Sequence, residues 1–581
     1  VKINKDYSYT ETTHTIDRIQ QEGAKDLGEI TLEYDQKREE ITDIEAYTIM
    51  PDGTKLRPEK IQDLNAPSGG GIYSDDRVKV ITMPNVTVGS TIDWKATKVT
   101  KTPVIPHNFY DSFRFTCTCP IKEARYRITA PKGMKLNFKN LNNAITPKVE
   151  TSGEEATYTW ETYHNETDDN EEFMPSPEER IKRITVSTLT DWKQFSAWAW
   201  SLYQKNLTGS PELKKKVREL TADKRTTGDK IQAIIDYIRK DYRYVFMGIE
   251  SHSYEPHPED EIFKSKYGDC KDQTLLAIAM LSEIGVKAWP TLLSTGSDLK
   301  RRDLLPIPFY FNHVILSFDL QGREYFTDVL LQGYKFQEIP VHLANKGAFV
   351  VDDRGGAFVT IPPTDKAEVT TSSEEKVTIR DNGSARVELT LAFPKSVSIE
   401  LRERLKSMGA EEKEKFYAAM ETRLALGGKV LNRRMKNEDV PYSQLLFTMS
   451  YENPTLVQRV GDMMMFGLPQ VQRGTLFSSP KRRYPVVFLS QAWIEGNVAY
   501  TIPDGYEVVS LPKKISLDNG FASYTREYIA EGSRITGKEF FVYKQARIPV
   551  EDYHTVQGFF DELSRTTSDK VVIRKQANTA K

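Results

Sequence analysis

Apolar and polar residues alternate along residues 1–160, the period of two that a half-buried strand requires. The stretch ITDIEAYTIMPDGTKLRPEKI alternates and breaks at Pro51-Asp52-Gly53, a hairpin signal. RVKVITMPNVTVGSTIDWKATKV repeats the pattern with breaks at Pro84 and Gly89, and EARYRITAPKGMKLNFKN and EATYTWETY continue it. An all-β sandwich over 1–165 is the simplest architecture for such a run. Residues 161–183 are charged and carry Pro175 and Pro177, which predicts a linker or an extended arm.

The period then changes to that of a helix. TDWKQFSAWAWSLYQKN sets Trp192, Phe195, Ala199 and Leu202 on one face. GDKIQAIIDYIRKDYRYV sets Ile231, Ile234, Ile235 and Ile238 at i, i+3, i+4, i+7. A third helix is predicted from about Cys270 to Glu283, stopped at Gly285. Three strand-like runs follow at 287–295, 312–320 and 323–330, the last two joined by a tight turn at Gln321-Gly322. This α+β segment spans 185–345. From 365 to 581 the pattern is again that of strands, with helices predicted only at about 395–408 and 410–425. The reading is a multidomain α+β protein: an N-terminal β-sandwich, a central α+β core and a C-terminal β-rich domain with a helical insertion.

Composition narrows the partners. With 80 basic and 82 acidic side chains in 581 residues, no basic field exists to gather phosphates, so a nucleic-acid partner is not expected. No apolar run of about 18 residues occurs, so no membrane-spanning helix is expected. The numbering opens on Val1, and a leader removed before it would suit a periplasmic or cell-surface protein. Three cysteines make no disulfide framework, and no cofactor motif is present.

Candidate chemistry lies in the centre. Cys270 stands at a predicted helix start, in YGDCKDQTLL, where unpaired amides and the macrodipole favour a thiolate. His313 begins a strand, and Asp328 lies on the strand joined to it by the hairpin. Adjacent antiparallel strands can set an imidazole beside a carboxylate, which fixes its tautomer and stabilises its charge. The imidazole can then hold the thiolate and protonate a leaving group, and the helix start offers the Cys270 N–H to an oxyanion. On spacing alone, Cys270 reads equally as a small core residue.

Other clusters carry less. Cys117 and Cys119 lie i, i+2 on one face of an expected strand, where a bridge would be strained, so two separate thiols are expected. HSYEPHPEDE (252–261) holds two histidines and several acids; a solvated loop at a cleft mouth is preferred to a metal site, and no metal is expected. The acidic run 168–172 reads as solvated, and DMMMFG (462–467) as core or interface. Asn85, Asn165 and Asn206 sit in sequons and receive no role.

The segment 190–340 resembles the transglutaminase-like superfamily of papain-like thiol enzymes. The matching residues are Tyr267-Gly268-Asp269-Cys270-Lys271-Asp272 with LLAIAMLSEIGVKAWPTLL, then Asn312-His313-Val314, then Phe326-Thr327-Asp328. PDGTKL, MPNVTVGSTIDW, TIPDGYEVVSLP and ARIPVEDY resemble the β-domains of unknown function that flank this core in exported bacterial proteins. The resemblance implies Cys270 as nucleophile, His313 as base and Asp328 as orienting acid, with a second oxyanion donor upstream: Tyr244 or Tyr242. It implies acyl transfer from an amide. Hydrolysis of a peptide or protein substrate ranks first, because the loops before the cysteine and at 294–311 read as polar rims. Protein cross-linking ranks second. A non-catalytic binding or scaffolding protein is the alternative of another class, with the flanking β-domains offering surface for proteins or glycans.

Overall fold

A computed structural model describes residues 1–65, 76–142, 145–165, 167–168, 170–245, 254–298, 303–467, 477, 479–488, 491–566 and 569–576. The chain forms two compact units. One holds Val1–Asp169, Ser176–Gln332 and Lys346–Ile361; the other holds Asn170–Pro175, Gly333–Asn345 and Pro362–Lys581.

The first unit begins with an eight-stranded sheet whose long members are Tyr9–Arg18, Glu39–Ile49, Thr91–Thr100, Ile121–Pro131 and Glu155–Asn165. Two three-stranded sheets pack on it. Ile30 and Ile81 of one meet Ala46 and Ile92. Ile184 and Val186 of the other meet Ile128 and Trp160. The alternating pattern thus becomes a sandwich, with the sheets packed face to face.

The charged stretch after residue 161 ends in a strand. Arg183–Ser187 lies between Asn137–Leu141 and Tyr110–Arg114, buried along its whole length. ITVSTL is apolar enough for a middle strand, but the acids before it mask the signal.

The helical segment surrounds the helix Cys270–Ser282. Every residue from Cys270 to Leu281 is buried, so this helix has no polar face. It packs against helices Pro211–Thr221, Thr227–Asp241 and Glu259–Ser265 and against a five-stranded antiparallel sheet. The sheet order is Arg323–Thr327, His313–Leu320, Ala288–Leu293, Gly347–Val350, Ala357–Thr360. The last two strands form a hairpin within the stretch read as lying beyond the core. Its turn holds Gly355 and Gly356 at φ 115° and 70°. A Cβ on Gly356 would lie 2.4 Å from the Phe349 ring, so only glycine lets that ring close the turn.

The second unit is built on another eight-stranded sheet. Its members include Thr370–Ile379, Ala385–Ala392, Leu446–Asn453, Ala492–Thr501, Ala522–Glu531 and Arg534–Tyr543. Helices Lys395–Ser407 and Ala410–Leu424 connect two of its strands, as the pattern predicts. Met464 and Phe466 of the methionine run are core residues. One element departs from expectation: Tyr553–Thr566 is a helix, not a strand. Its Tyr553, Val556, Phe559 and Leu563 recur at helical spacing, and Phe559 and Leu563 pack on Tyr524 and Phe541. Among the described residues no helix is long and apolar enough to cross a membrane.

Candidate active site

The start of the buried helix explains the motif around Cys270. Gly268 closes a short parallel bridge with Tyr244. A Cβ on Gly268 would sit 2.6 Å from that of Asp272, so a larger residue would push the helix away. Asp269 is the N-cap, accepting from the amides of Lys271 (3.1 Å) and Asp272 (3.3 Å), while Asp272 accepts from the Asp269 amide at 3.2 Å. Lys271 is buried and pairs with the Asp269 carboxylate. On the other side His257 meets Asp272, its amide at 2.9 Å and its ring nitrogen Nδ1 at 3.2 Å. Burial and the charge of Asp272 raise the pKa of Asp269. Burial also acts to raise Asp272, but the His257 hydrogen bond and the Lys271 charge outweigh it, and Asp272 is lowered.

The opposite wall comes from the sheet. Gln321 and Gly322 turn the hairpin with φ of 57° and 80°, both left-handed, as a two-residue turn of this kind requires. The hairpin brings Asp328, just past its strand, to His313, whose Nε2 lies 2.7 Å from the carboxylate. Cys270 lies within electrostatic range of the same ring. With Nε2 held by Asp328, Nδ1 is the nitrogen left for sulfur. Burial pulls the His313 pKa down, but the charge and hydrogen bond of Asp328, with the Cys270 contact, push it up to about 10. Burial acts to raise Asp328; the His313 charge and hydrogen bond, the Leu330 amide and the Arg239 charge hold it below the usual carboxylate range. The structure therefore brings Cys270, His313 and Asp328 together.

Arg239 was not singled out from sequence. It is buried and donates to the Asp328 backbone oxygen at 2.6 Å and to the Thr327 hydroxyl at 3.1 Å. A signal existed: Arg239 occupies the next i+4 position of the apolar stripe Ile231, Ile235, and a charge on a buried stripe needs a reason.

The two candidate tyrosines separate. Tyr244 pairs with Gly268, two residues before Cys270, and after burial the charges of Cys270, Asp269 and Asp328 raise its phenol pKa. Tyr242 is engaged elsewhere, taking a hydrogen bond from Lys266 at 2.8 Å and donating to the Phe263 carbonyl at 3.3 Å. A third phenol, Tyr203, is buried within the influence of Cys270 and was not anticipated.

The thiol is sealed: Cys270 is fully buried, with Val314, Tyr254, Leu292 and Leu330 packed around it. A cavity of about 40 Å³ beside His313 is walled by Phe195, Trp198, Tyr203, Tyr254, Leu292 and Phe311. The expected polar rim at 294–311 is corrected in its second half, because Leu304, Ile307, Tyr310 and Phe311 are buried in an aromatic cluster with Phe195 and Phe349. Residues 246–253 and 299–302 of the two expected rims lie outside the described residues.

The lesser clusters resolve into structural roles. Cys117 and Cys119 are bonded to each other, against the expectation of separate thiols. The strand ends at Arg114, and the bend after it brings the two Cα atoms to 5.3 Å, within bridging range. In the acidic run, Asp168 is buried against Arg180, and Glu171 accepts from the amides of Arg483 (2.7 Å) and Tyr484 (3.1 Å), so neither is simply solvated; Asp169 lies outside the described residues. In 252–261, Glu255 meets Lys205, Glu259 caps the turn at Gly209-Ser210, and His257 serves Asp272; His252 lies outside the described residues. Asn206 is buried, donating to the carbonyls of Leu202 and Pro256.

Three family models match the chain. The transglutaminase-like superfamily covers residues 214–292, flanked by two domains of unknown function, DUF3857 over 5–164 and DUF3858 over 462–573. The chain thus carries a transglutaminase-like core between these two domains. A structure from Parabacteroides distasonis ATCC 8503, described as a "putative protease", is similar over 99% of this chain and 97% of its own, at 15% identity and a TM-score of 0.69. It shows the same multidomain fold. A "putative cysteine protease" from Cytophaga hutchinsonii aligns over 61% of this chain and 88% of its own at 10% identity, but its TM-score of 0.18 bears on nothing further. No curated protein matches.

Proposed function

We propose that this chain, whose transglutaminase-like core is set between two β-rich domains, is a cysteine peptidase or amidase. Cys270 is the nucleophile, His313 the proton carrier and Asp328 its orienting carboxylate. The observation that carries the reading is the His313 ring held by Asp328 at 2.7 Å on Nε2, with Cys270 near enough to act on the same ring electrostatically. A structural cysteine needs neither.

The chemistry follows from the proton positions. His313 takes up the thiol proton as sulfur attacks the amide carbonyl carbon. The oxygen that becomes negative accepts from the Cys270 amide and the Tyr244 hydroxyl. As the C–N bond breaks, His313 gives its proton to the leaving amine, leaving a thioester. Water then attacks the thioester, His313 takes its proton, and the acid departs from a restored Cys270–His313 pair. Water is favoured over a lysine acceptor because it is in great excess, and aminolysis would need a dry entry shaped for lysine. The Cys117–Cys119 bond supports an exported location, since such bonds persist in oxidising compartments.

The test is incubation of the full chain with a peptide library, with new termini mapped by mass spectrometry and a fluorescent primary amine present in a parallel sample. Cys270-dependent cleavage is expected. No cleavage by wild type together with no labelling by a peptidyl vinyl sulfone would reject an enzyme. Cys270-dependent amine incorporation without free acid would reject hydrolysis.

A further inference from the structure

The bonded pair Cys117–Cys119 lies in the connection 115–120, between the strands Tyr110–Arg114 and Ile121–Pro131. A cross-link that braces a fold gains most by closing a long loop of the unfolded chain. This one has only Thr118 between its ends and ties no two elements together. It therefore lends the fold little.

The connection is held without it. The Phe115 amide donates to the Lys182 carbonyl at 2.8 Å, the Lys182 amide to the Thr116 hydroxyl at 3.2 Å, and the Asp168 amide to the Cys117 carbonyl at 3.0 Å. Asp168 is itself fixed by its buried ion pair with Arg180. Pro120 restricts the chain just after Cys119. Opening the S–S bond thus leaves the two sulfurs where they can close again.

The two ends are not equivalent. Cys119 is exposed, while Cys117 is half-buried. The Cys119 amide donates toward the Cys117 sulfur, 3.2 Å away. When Cys117 is a thiolate, that contact becomes a hydrogen bond to a charge, which lowers the pKa of the thiol. A thiol of lower pKa is the better leaving group in exchange. Access and leaving-group stability therefore select one direction, attack at Cys119 and departure of Cys117. An exposed bond that braces little is also of the labile kind.

We propose that Cys117–Cys119 is a redox-active pair that exchanges with external thiols, a site whose chemistry makes no use of Cys270. A thiolate attacks the Cys119 sulfur, the bond between the cysteines breaks, and Cys117 leaves as a thiolate that takes up a proton. A second thiolate then attacks the partner's sulfur in the mixed disulfide, which closes the partner's disulfide and releases Cys119. Two thiols are oxidised to one disulfide, and the pair is reduced by the same two electrons. A low-molecular-weight disulfide reverses the sequence and closes the pair again.

The experiment treats the oxidised full chain with millimolar glutathione, quenches in acid at successive times, and locates adducts by fragment ions of the peptide that holds both cysteines. Cys270 lies on another peptide, so its reactivity does not enter. The adduct is expected on Cys119 roughly tenfold or more above Cys117, followed by reduction of the pair and its reclosure by oxidised glutathione. The urea midpoint of the first unit should be the same for the reduced and oxidised proteins. A pair that stays oxidised in glutathione, one that oxidised glutathione cannot close, adducts shared equally or favouring Cys117, or a large fall in the midpoint on reduction would each overturn the proposal.

Discussion

Replacing Asp328 by Asn tests whether the charge of the carboxylate, rather than its shape, prepares the candidate nucleophile. Asn keeps the size of the side chain and an acceptor oxygen toward Nε2 of His313, which now lies 2.7 Å from a carboxylate oxygen. What disappears is the charge that, against burial, lifts the ring to about 10. Without it burial dominates, and the ring should fall to the ordinary value of about 6.5 or lower. The difference corresponds to about 5 kcal/mol of preference for the charged ring. At a pH of about 7.5 the wild-type ring is almost wholly protonated, while in Asp328→Asn only roughly a tenth or less is. Alkylation of Cys270 by a small thiol reagent, followed by mass spectrometry, should therefore slow at least tenfold at that pH. The sealed thiol reacts slowly in both proteins, but access cancels in the ratio. The linkage has a definite sign. Because the folded pKa lies above the unfolded one, the stability His313 lends is complete below about pH 6.5 and is lost as pH rises through about 10. Asp328→Asn should lack that decline. Equal alkylation rates for the two proteins between pH 6 and 9 would refute the reasoning, since His313 would then not depend on the charge of Asp328.

Three further outcomes are expected. Lys271→Met strands the buried Asp269 carboxylate and should destabilise the first unit by ~3–5 kcal/mol, whereas adding Asp269→Asn keeps the cap and should restore most of it; tryptophan fluorescence during urea unfolding reads both. Tyr244→Phe should lower kcat on a cleaved peptide by ~10²–10³-fold with little change in KM if its hydroxyl serves the oxyanion, and leave kcat unchanged if it does not. Under non-reducing denaturation, iodoacetamide should label Cys270 alone, with Cys117 and Cys119 labelled only after reduction; labelling of all three at once would contradict the bonded pair.

The parts of this molecule that were legible in the sequence are those encoded locally. The helix start at Cys270, the hairpin at Gln321-Gly322 and the isoleucine stripe from Ile231 each depend on residues within a few positions, and each formed as the pattern implies. What escaped depends on distant partners. Arg183–Ser187 becomes a strand because two separate neighbours bond to it, and Gly347–Thr360 because it adds to the edge of an existing sheet. The bend joining Cys117 to Cys119 follows from where the preceding strand stops. Tyr553–Thr566 was misread through a wrong period, although its apolar residues were spaced for a helix. Around Cys270 the three main residues could be read from the chemistry and resemblance, but Arg239 and His257 act by contacts 88 and 15 residues away.

Those contacts address a problem that the local motif creates. A helix start favours an anion through its free amides, yet here the cap and the third helical residue are both aspartates, so two carboxylates stand within two positions of Cys270. Left uncompensated, they would oppose negative charge on sulfur in a site where burial leaves little water to screen it. Each has its own basic partner instead: Lys271 on Asp269 and His257 on Asp272. The His257 pKa is raised by its hydrogen bond to Asp272, which favours the charged ring that neutralises the pair. The carboxylates can then serve as helix caps while His313, oriented by Asp328, is the basic group left to act on sulfur. This accounts for a fully buried lysine one residue from a candidate nucleophile: its amine is committed to the cap, and its charge keeps the cap from competing with the chemistry.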